Sequence, residues 1–183
     1  MLKQLCLGIA LFTLNAANGQ ESALAVGIKW VDDLTLYHGL APGFGGQVTY
    51  RLGRHAGVES GVYYSTWDHH FIFGDANGYA TTKIAERHLY FPFLYRHEAR
   101  KMNFTIGAAL DLFLAYKNKT GENRFPTPSL PMPNTSYFLT GSLSKSIFLF
   151  HDLFLEPELR LNWKVQKKDG SLGLNIALRK KFY

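Results

Sequence analysis

The sequence predicts an all-β protein, an eight-stranded antiparallel transmembrane up-and-down β-barrel. Three observations lead to this fold class: apolar residues alternate with period two in eight segments, several segments are long, and short and long connections alternate along the chain. The long segments run for about 10 to 13 residues, whereas strands of globular proteins are usually about 5 or 6. A tilted strand that crosses a bilayer needs about 9 to 11 residues. The lengths therefore favour a membrane barrel.

The alternation is clearest in three segments, 104–116, 153–165 and 172–182. In 153–165 the odd positions are leucine, proline, tryptophan or valine, and most even positions carry Glu, Arg, Asn or Lys. A helix would scatter these charges over all its faces, whereas a strand places them on one face. Five weaker segments, 24–30, 44–52, 58–64, 89–95 and 137–143, complete the eight predicted strands.

The lengths of the connections predict which end of the barrel faces the periplasm and which faces the extracellular side. Short turns are expected near 53–57, 98–101 and 146–152, and longer loops at 31–42, 67–83 and 117–136. Transmembrane barrels have short periplasmic turns and longer extracellular loops. The three long loops are therefore the candidate sites for an extracellular ligand.

The composition agrees with one ordered domain. The chain has 183 residues, of which 46% are hydrophobic, 19% charged and 15% aromatic, whereas disordered chains are poor in aromatic residues. Because the basic residues behind the net charge of +6 are spread along the chain, a nucleic-acid partner is not expected.

The first residues predict an export signal. Lys3, an apolar stretch over 5–14 and the small residues of 15–19 form the three-part layout of a secretory signal peptide. The prediction is a signal over 1–19 and a barrel domain over 20–183. The single cysteine, Cys6, lies inside the signal, so the exported chain would need a source of stability other than disulfides.

Aromatic residues at strand ends predict two girdles. Tyr and Trp favour the interface between membrane and water, and membrane barrels carry an aromatic ring at each headgroup level. Six aromatic residues share the apolar parity of their strands near the strand ends: Trp30, Tyr50, Tyr95, Tyr116, Trp163 and Phe182.

The opposite parity predicts a charged lumen. An eight-stranded barrel is just wide enough inside for side chains to fill it, and an unpaired buried ion costs several kcal/mol. We therefore expect a structural ion-pair network and no conducting pore. Its predicted members are Lys29, Arg51, Glu59, Glu86, Arg96, Asp111, Glu156, Glu158 and Arg160, with Lys164 on the same parity.

The pattern resembles a known family. An export signal, eight amphipathic strands and a last strand ending at 179–183 are similar to the small outer-membrane β-barrel proteins of Gram-negative bacteria. The segment 88–119, a proline-containing strand, a basic turn and a glycine-containing strand, resembles the PorT-like outer-membrane barrel domain. The resemblance implies an outer-membrane location, contact with outer-membrane lipid, and a terminal aromatic residue, Phe182 or Tyr183, that the barrel-assembly machinery recognises.

The resemblance and the residues together predict a non-enzymatic protein with a structural role or a recognition role through its loops. Two alternatives remain. A lipid-modifying enzyme is disfavoured because lipid A deacylases of this group carry a His-x-Ser pair, which this chain lacks, and His88 and Asp111 have no predicted nucleophile beside them. A soluble lipocalin-like barrel with an apolar ligand would show the same alternation. No cofactor or metal site is expected, because the adjacent His69 and His70 form no preset metal site.

Overall fold

The computed structural model describes residues 24–35, 39–75, 78–118, 135–166 and 169–182. The predicted signal peptide over 1–19 lies outside these residues. The described part of the chain forms nine strands: β1 (Leu24–Thr35), β2 (Gly39–Arg51), β3 (Ala56–Asp75), β4 (Gly78–Glu98), β5 (Asn103–Asn118), β6 (Thr135–Ser144), β7 (Ile147–Phe150), β8 (Leu153–Lys164) and β9 (Asp169–Phe182). No helix in the described ranges is long and apolar enough to span a membrane.

The strands close into one barrel. Neighbouring strands pair antiparallel in the order β6-β5-β4-β3-β2-β1-β9-β8, and a pairing of β6 with β8 joins the two ends. β7 extends β6, because Ser144 pairs with Glu158 and Ile147 pairs with Leu155 in the same register. The predicted closed eight-stranded antiparallel barrel is thereby confirmed.

The pairing register determines the width of the barrel. Each residue leads to its partner on the next strand, and one circuit runs Leu24, Tyr50, Val58, Tyr95, Ile106, Gly141, Leu161, Leu172 and Leu34. The circuit returns to β1 ten residues further on, since 34 − 24 = 10. For eight strands this stagger corresponds to a strand tilt of about 40°. A barrel of this size has room inside for side chains and little more.

The two faces of the wall are opposite in character to those of a water-soluble protein. Along β8 the side chains of Glu156, Glu158, Arg160 and Asn162 are buried inside, and Leu161 between them is 63% exposed outside. The same holds on other strands, where Ile28, Ile106 and Leu174 reach 67–68% exposure. The lumen is thus polar and the outer surface is apolar.

The barrel has two distinct ends. The turn end carries Leu24 and Phe182 together with the connections 52–55, 99–102 and 151–152, and the loop end carries the other connections. At the loop end, β1 extends to Thr35 and β2 begins at Gly39, so strands occupy 31–35 and 39–42 of the predicted loop 31–42. In the predicted loop 67–83, β3 extends to Asp75 and β4 begins at Gly78. Within the described residues these two predicted loops are therefore corrected to strands, and 36–38 and 76–77 lie outside the described ranges. Of the third, 117–136, β5 occupies the start and β6 the end, while residues 119–134 lie outside the described ranges.

β3 and β4 leave the wall as a two-stranded ribbon. Their pairing continues to Asp75 and Gly78, although β2 pairs with β3 only as far as Ser65 and β5 pairs with β4 only from Ile84. A ribbon that has left a closed wall has no inner face, so period-two alternation does not mark it in the sequence. The ribbon projects beyond the other strands at the loop end.

A β-bulge in β5 changes the position of one predicted girdle residue. Arg87 pairs with Ala115 and His88 pairs with Phe113, so Leu114 has no partner on β4. Beyond the bulge Tyr116 lies opposite the buried Glu86, and its ring packs on Phe113 at 4.6 Å between centroids. Tyr116 therefore lies on the lumen face of the strand rather than in the expected girdle, because the extra residue inverts the alternation.

The turn between β7 and β8 contains the two non-glycine residues with positive φ in the described chain, His151 at 42° and Asp152 at 62°. Two successive positive φ angles are typical of a type I′ hairpin turn, which favours Asn-Gly. The double variant H151N/D152G should therefore raise the free energy of unfolding by about 1 kcal/mol. Urea unfolding of the folded barrel measures the change. Ala99→Gly, in a turn without positive φ, is the control and should not stabilise.

Candidate functional site

The lumen contains the charged residues that the alternation predicted there. Seven of the predicted members are buried below 6% exposure and Asp111 is at 6%, whereas Arg51 is half-buried at the turn end. The buried members are Lys29, Glu59, Glu86, Arg96, Asp111, Glu156, Glu158 and Arg160. Lys164 is half-buried and lies 5.6 Å from the ring of Phe138.

Arg96 is the centre of the network near the turn end. Its guanidinium contacts Glu59 at 2.8 Å, both carboxylate oxygens of Glu156 at 2.8 and 2.9 Å, and Glu98 at 3.1 Å. Arg51 binds the other oxygen of Glu98 at 2.6 Å. Ionised groups on both sides make these hydrogen bonds roughly twice as strong as neutral ones.

A second group of ion pairs lies around Glu158. Lys29 approaches Glu158 at 2.5 Å and Glu59 at 3.5 Å, so it links the two carboxylates. Arg160 and Asn175 also donate to Glu158, at 2.8 and 2.9 Å. Because Glu59 contacts both Lys29 and Arg96, the two groups form one continuous network.

Arg179 is a member that the sequence analysis did not select. Its guanidinium donates to Glu156 at 2.5 Å and to Thr49 at 2.7 Å, and the residue is 2% exposed. The signal was present in the sequence, because Arg179 lies on the polar parity of the last strand. The two arginines that contact Glu156 come from β4 and β9, which lie on opposite sides of β8 in the barrel order.

The network closes the lumen. Arg96 on β4 reaches across β5 and β6 to Glu156 on β8, and Lys29 on β1 reaches across β9 to Glu158. Arg96, Glu59 and Arg160 are each 0% exposed, so water does not reach this level of the barrel. At this level the described side chains fill the lumen as they would fill a packed core.

A separate cluster surrounds His88 nearer the loop end. Its Nδ1 lies 3.0 Å from Asp111 and its Nε2 lies 3.3 Å from Glu86. Trp67 and Phe113 pack against the imidazole, each with 5.6 Å between ring centroids. Because both ring nitrogens face carboxylates, neither is directed at a hydroxyl nucleophile, and His88 has the surroundings of a structural histidine. No group of three His, Cys, Asp or Glu in the described ranges is arranged to hold a metal ion.

Between the two charged clusters lies a chain of neutral hydrogen bonds. The Tyr90 hydroxyl lies 2.7 Å from Thr140 Oγ1 and donates to Asn162 at 3.1 Å, and Asn162 donates to Asp33 at 3.2 Å. Beside it is a cavity of about 20 Å³, lined in part by Asp33, Tyr63, Tyr90 and Asn162, which is room for about one water molecule.

The remaining girdle candidates lie on the outer wall. Trp30, Tyr50, Tyr95, Trp163 and Phe182 are between 36% and 54% exposed. Tyr50, Tyr95 and Phe182 lie towards the turn end, and Trp163 lies near the end of β8 at the loop end.

Comparison with known proteins yields only distant similarity. No protein-family model matches the chain, and no curated protein matches it. The resemblance to the PorT-like domain therefore stays a prediction.

Solved structures of β-barrel proteins resemble the chain. Neisserial surface protein A, NspA, is 17% identical with a TM-score of 0.47, and the alignment covers 88% of this chain and 97% of NspA. Ail, the attachment invasion locus protein of Yersinia pestis, is 10% identical with a TM-score of 0.44, covering 88% and 97%. The N-terminal β-barrel domain of Pseudomonas aeruginosa OprF is 14% identical with a TM-score of 0.42, covering 88% and 99%.

Ail is described as an outer-membrane protein and has been studied in a phospholipid bilayer nanodisc. At these scores the fold of this chain rests on its own strand pairing.

Proposed function

We propose that this chain is a non-enzymatic outer-membrane β-barrel protein of the PorT-like type, whose role is structural or recognition at its loop end. The observation that carries the proposal is the inverted wall, with charged side chains inside and exposed apolar side chains outside. Soluble monomers rarely expose contiguous apolar patches of more than a few hundred Å². A bilayer is the solvent in which such a surface is stable, and a closed barrel leaves no unpaired strand edge within it.

The filled lumen supports a role other than transport. Buried ion pairs occupy the interior from Arg96 to Arg160, so solute passage would require the network to break. Recognition of a ligand by the surface at the loop end is the function that this leaves. The β3–β4 ribbon is the described element that projects there.

The lumen also argues against the soluble alternative. A lipocalin-like barrel that binds an apolar ligand needs an apolar interior of several hundred Å³, whereas this interior is filled with Lys, Arg and Glu. The enzymatic alternative has no support from His88, whose two ring nitrogens are engaged by Asp111 and Glu86. The exported chain would enter the membrane through the assembly machinery, which would recognise the last strand and its terminal aromatic residue, Phe182 or Tyr183.

Membrane fractionation tests the proposal. The full chain, expressed in a Gram-negative host, should be recovered in the outer-membrane fraction. It should also migrate differently in gels with and without heating, because a closed barrel stays folded in detergent until it is heated. Recovery in the soluble periplasmic fraction would contradict the proposal and favour a soluble barrel.

A further inference from the structure

The turn end of the barrel has an excess of exposed positive charge. Among the described residues there, Arg54, Arg100, Lys101, Lys145 and Lys180 are exposed. The exposed carboxylate at this end is Asp152, and the half-buried Glu98 is already bound by Arg51 and Arg96. This end therefore presents a positive field to any anionic surface beside it.

The β7–β8 hairpin adds an apolar surface at the same end. Ile147, Phe148, Leu149 and Phe150 are all exposed, between 41% and 62%. Within the described chain β7 pairs only with β8, so its other edge carries no strand. Ile147 lies opposite Leu155, and β8 at this level pairs with β9 close to Phe182. The hairpin is thus continuous with the apolar outer wall at the level of Phe182, one of the girdle residues at the turn end.

Lys145 and Lys180 lie on either side of this apolar surface. Lys145 shares the outward parity of Ile147 on the extension of β6, and Lys180 on β9 pairs with Leu153 of β8. No described carboxylate forms an ion pair with either ammonium group, although Lys180 lies 5.4 Å from the ring of Phe182. A lysine at the edge of an apolar band extends its stem along that band and places its ammonium in the headgroup layer.

We propose that the face formed by Lys145, Lys180 and the β7–β8 hairpin binds the headgroup of an anionic diacyl phospholipid. The two ammonium groups contact the phosphate, and the exposed side chains of β7 lie against the first carbons of the acyl chains. The inference rests on the proposed function, because it requires the outer wall to lie in a bilayer. It goes beyond that function by assigning a lipid class and a leaflet, the one at the turn end.

Charge and position together favour a phospholipid over other occupants. A second copy of the chain would bring its own Lys145 and Lys180 to the same face, and like charges would oppose the contact. A free phosphate ion would use the ammonium groups and leave the four β7 side chains uncovered. An anionic lipid satisfies both the charge and the apolar surface.

Lipid selectivity measured in bilayers tests the inference. The full chain is folded into phosphatidylcholine vesicles that contain trace spin-labelled phosphatidylglycerol or phosphatidylcholine, and the immobilised lipid fraction is measured by electron paramagnetic resonance. We expect at least about threefold selectivity for phosphatidylglycerol at low salt. The double variant K145Q/K180Q should lose it. The matched control R87Q/K117Q removes two outer-wall charges near the loop end and should retain it.

The other outcomes distinguish the sources of failure. Equal association of the two lipids with a chain that floats with the vesicles would overturn this inference alone, and a chain that does not float would overturn the proposed function as well. Selectivity that is lost in R87Q/K117Q instead would place the lipid at the other end and overturn the assignment. Loss of selectivity in inorganic phosphate, but not in chloride of equal ionic strength, would identify a free-phosphate site.

A cysteine variant tests for a second copy on the same face. Leu149→Cys in a Cys6→Ser background carries the single thiol of the chain. The relaxation of a nitroxide attached there should be accelerated by molecular oxygen, a paramagnetic reagent that partitions into the membrane. Formation of disulfide-linked dimers in the vesicles would show that another copy covers the hairpin, and would overturn the lipid assignment.

Discussion

Replacing Arg96 by methionine should destabilise the folded barrel by about 3–5 kcal/mol, because removal of one partner leaves uncompensated buried charge. The guanidinium contacts Glu59, Glu98 and Glu156, and the residue is fully buried. Of these carboxylates, Glu59 would keep Lys29 at 3.5 Å and Glu156 would keep Arg179. The substitution thus removes the one guanidinium that contacts all three carboxylates. We expect its effect on the free energy of unfolding to be the largest of any single lumen substitution. Urea unfolding in lipid vesicles, followed by the gel shift on heating, measures it.

Two further variants separate lost charge compensation from lost packing. Arg100→Met, in the exposed turn after β4, should change the free energy of unfolding by less than about 0.5 kcal/mol. The triple variant R96M/E59Q/E156Q also removes two of the three negative charges that Arg96 compensates, and it should recover part of the loss. If R96M were as stable as the unsubstituted barrel, the lumen network would not be a determinant of stability.

Arginine in place of Leu174 should cost about 2–4 kcal/mol in a bilayer, the penalty for a charged side chain at the membrane midplane of a barrel. Leu174 is 67% exposed on the outer wall near the middle of β9, and its partner Leu159 lies near the middle of β8. In water the same substitution would replace an exposed apolar side chain by a charged one and would cost almost nothing. The substitution therefore distinguishes a lipid-facing wall from a solvent-facing one.

Leu24→Arg is the control for Leu174→Arg. Leu24 is 39% exposed at the turn end, where it pairs with Phe182. A charge near the interface costs only about 0–1 kcal/mol. Unfolding free energies measured by urea titration in vesicles should therefore differ strongly between the two variants. Equal, small effects at both positions would contradict a membrane-embedded wall.

Much of the barrel wall can be predicted from the sequence, because the alternation of polar and apolar residues is contained within each single strand. In β8, proline and leucine separate Glu156, Glu158 and Arg160. This alternation of residue types follows from the two different environments on the two faces of the strand. The same reasoning identified eight of the nine strands. The ninth, 147–150, falls in the predicted short turn 146–152, because four consecutive apolar residues show no alternation, and both faces of β7 are exposed in the structure.

The other features of the fold and the site depend on how different strands pair with one another, or lie beyond the barrel wall. The contact of Arg96 with Glu156 spans three strand pairings, so it depends on a register that no single segment encodes. The placement of Tyr116 depends on one extra residue, Leu114, which nothing in a regular alternation reveals. The continuation of β3 to Asp75 lies beyond the wall, where the pattern that identifies strands has no physical basis.

The seam between β1 and β9 has a consequence for how the barrel forms. Leu24 pairs with Phe182, so the contact that closes the sheet joins residues 158 positions apart, since 182 − 24 = 158. Closing so long a loop costs about 4 to 5 kcal/mol of chain entropy, and such non-local pairings make folding slow. Until β9 arrives, β1 and β8 are open edges able to recruit strands from other chains. The pairing of β9 with both neighbours therefore removes the two open edges through which the barrel could aggregate.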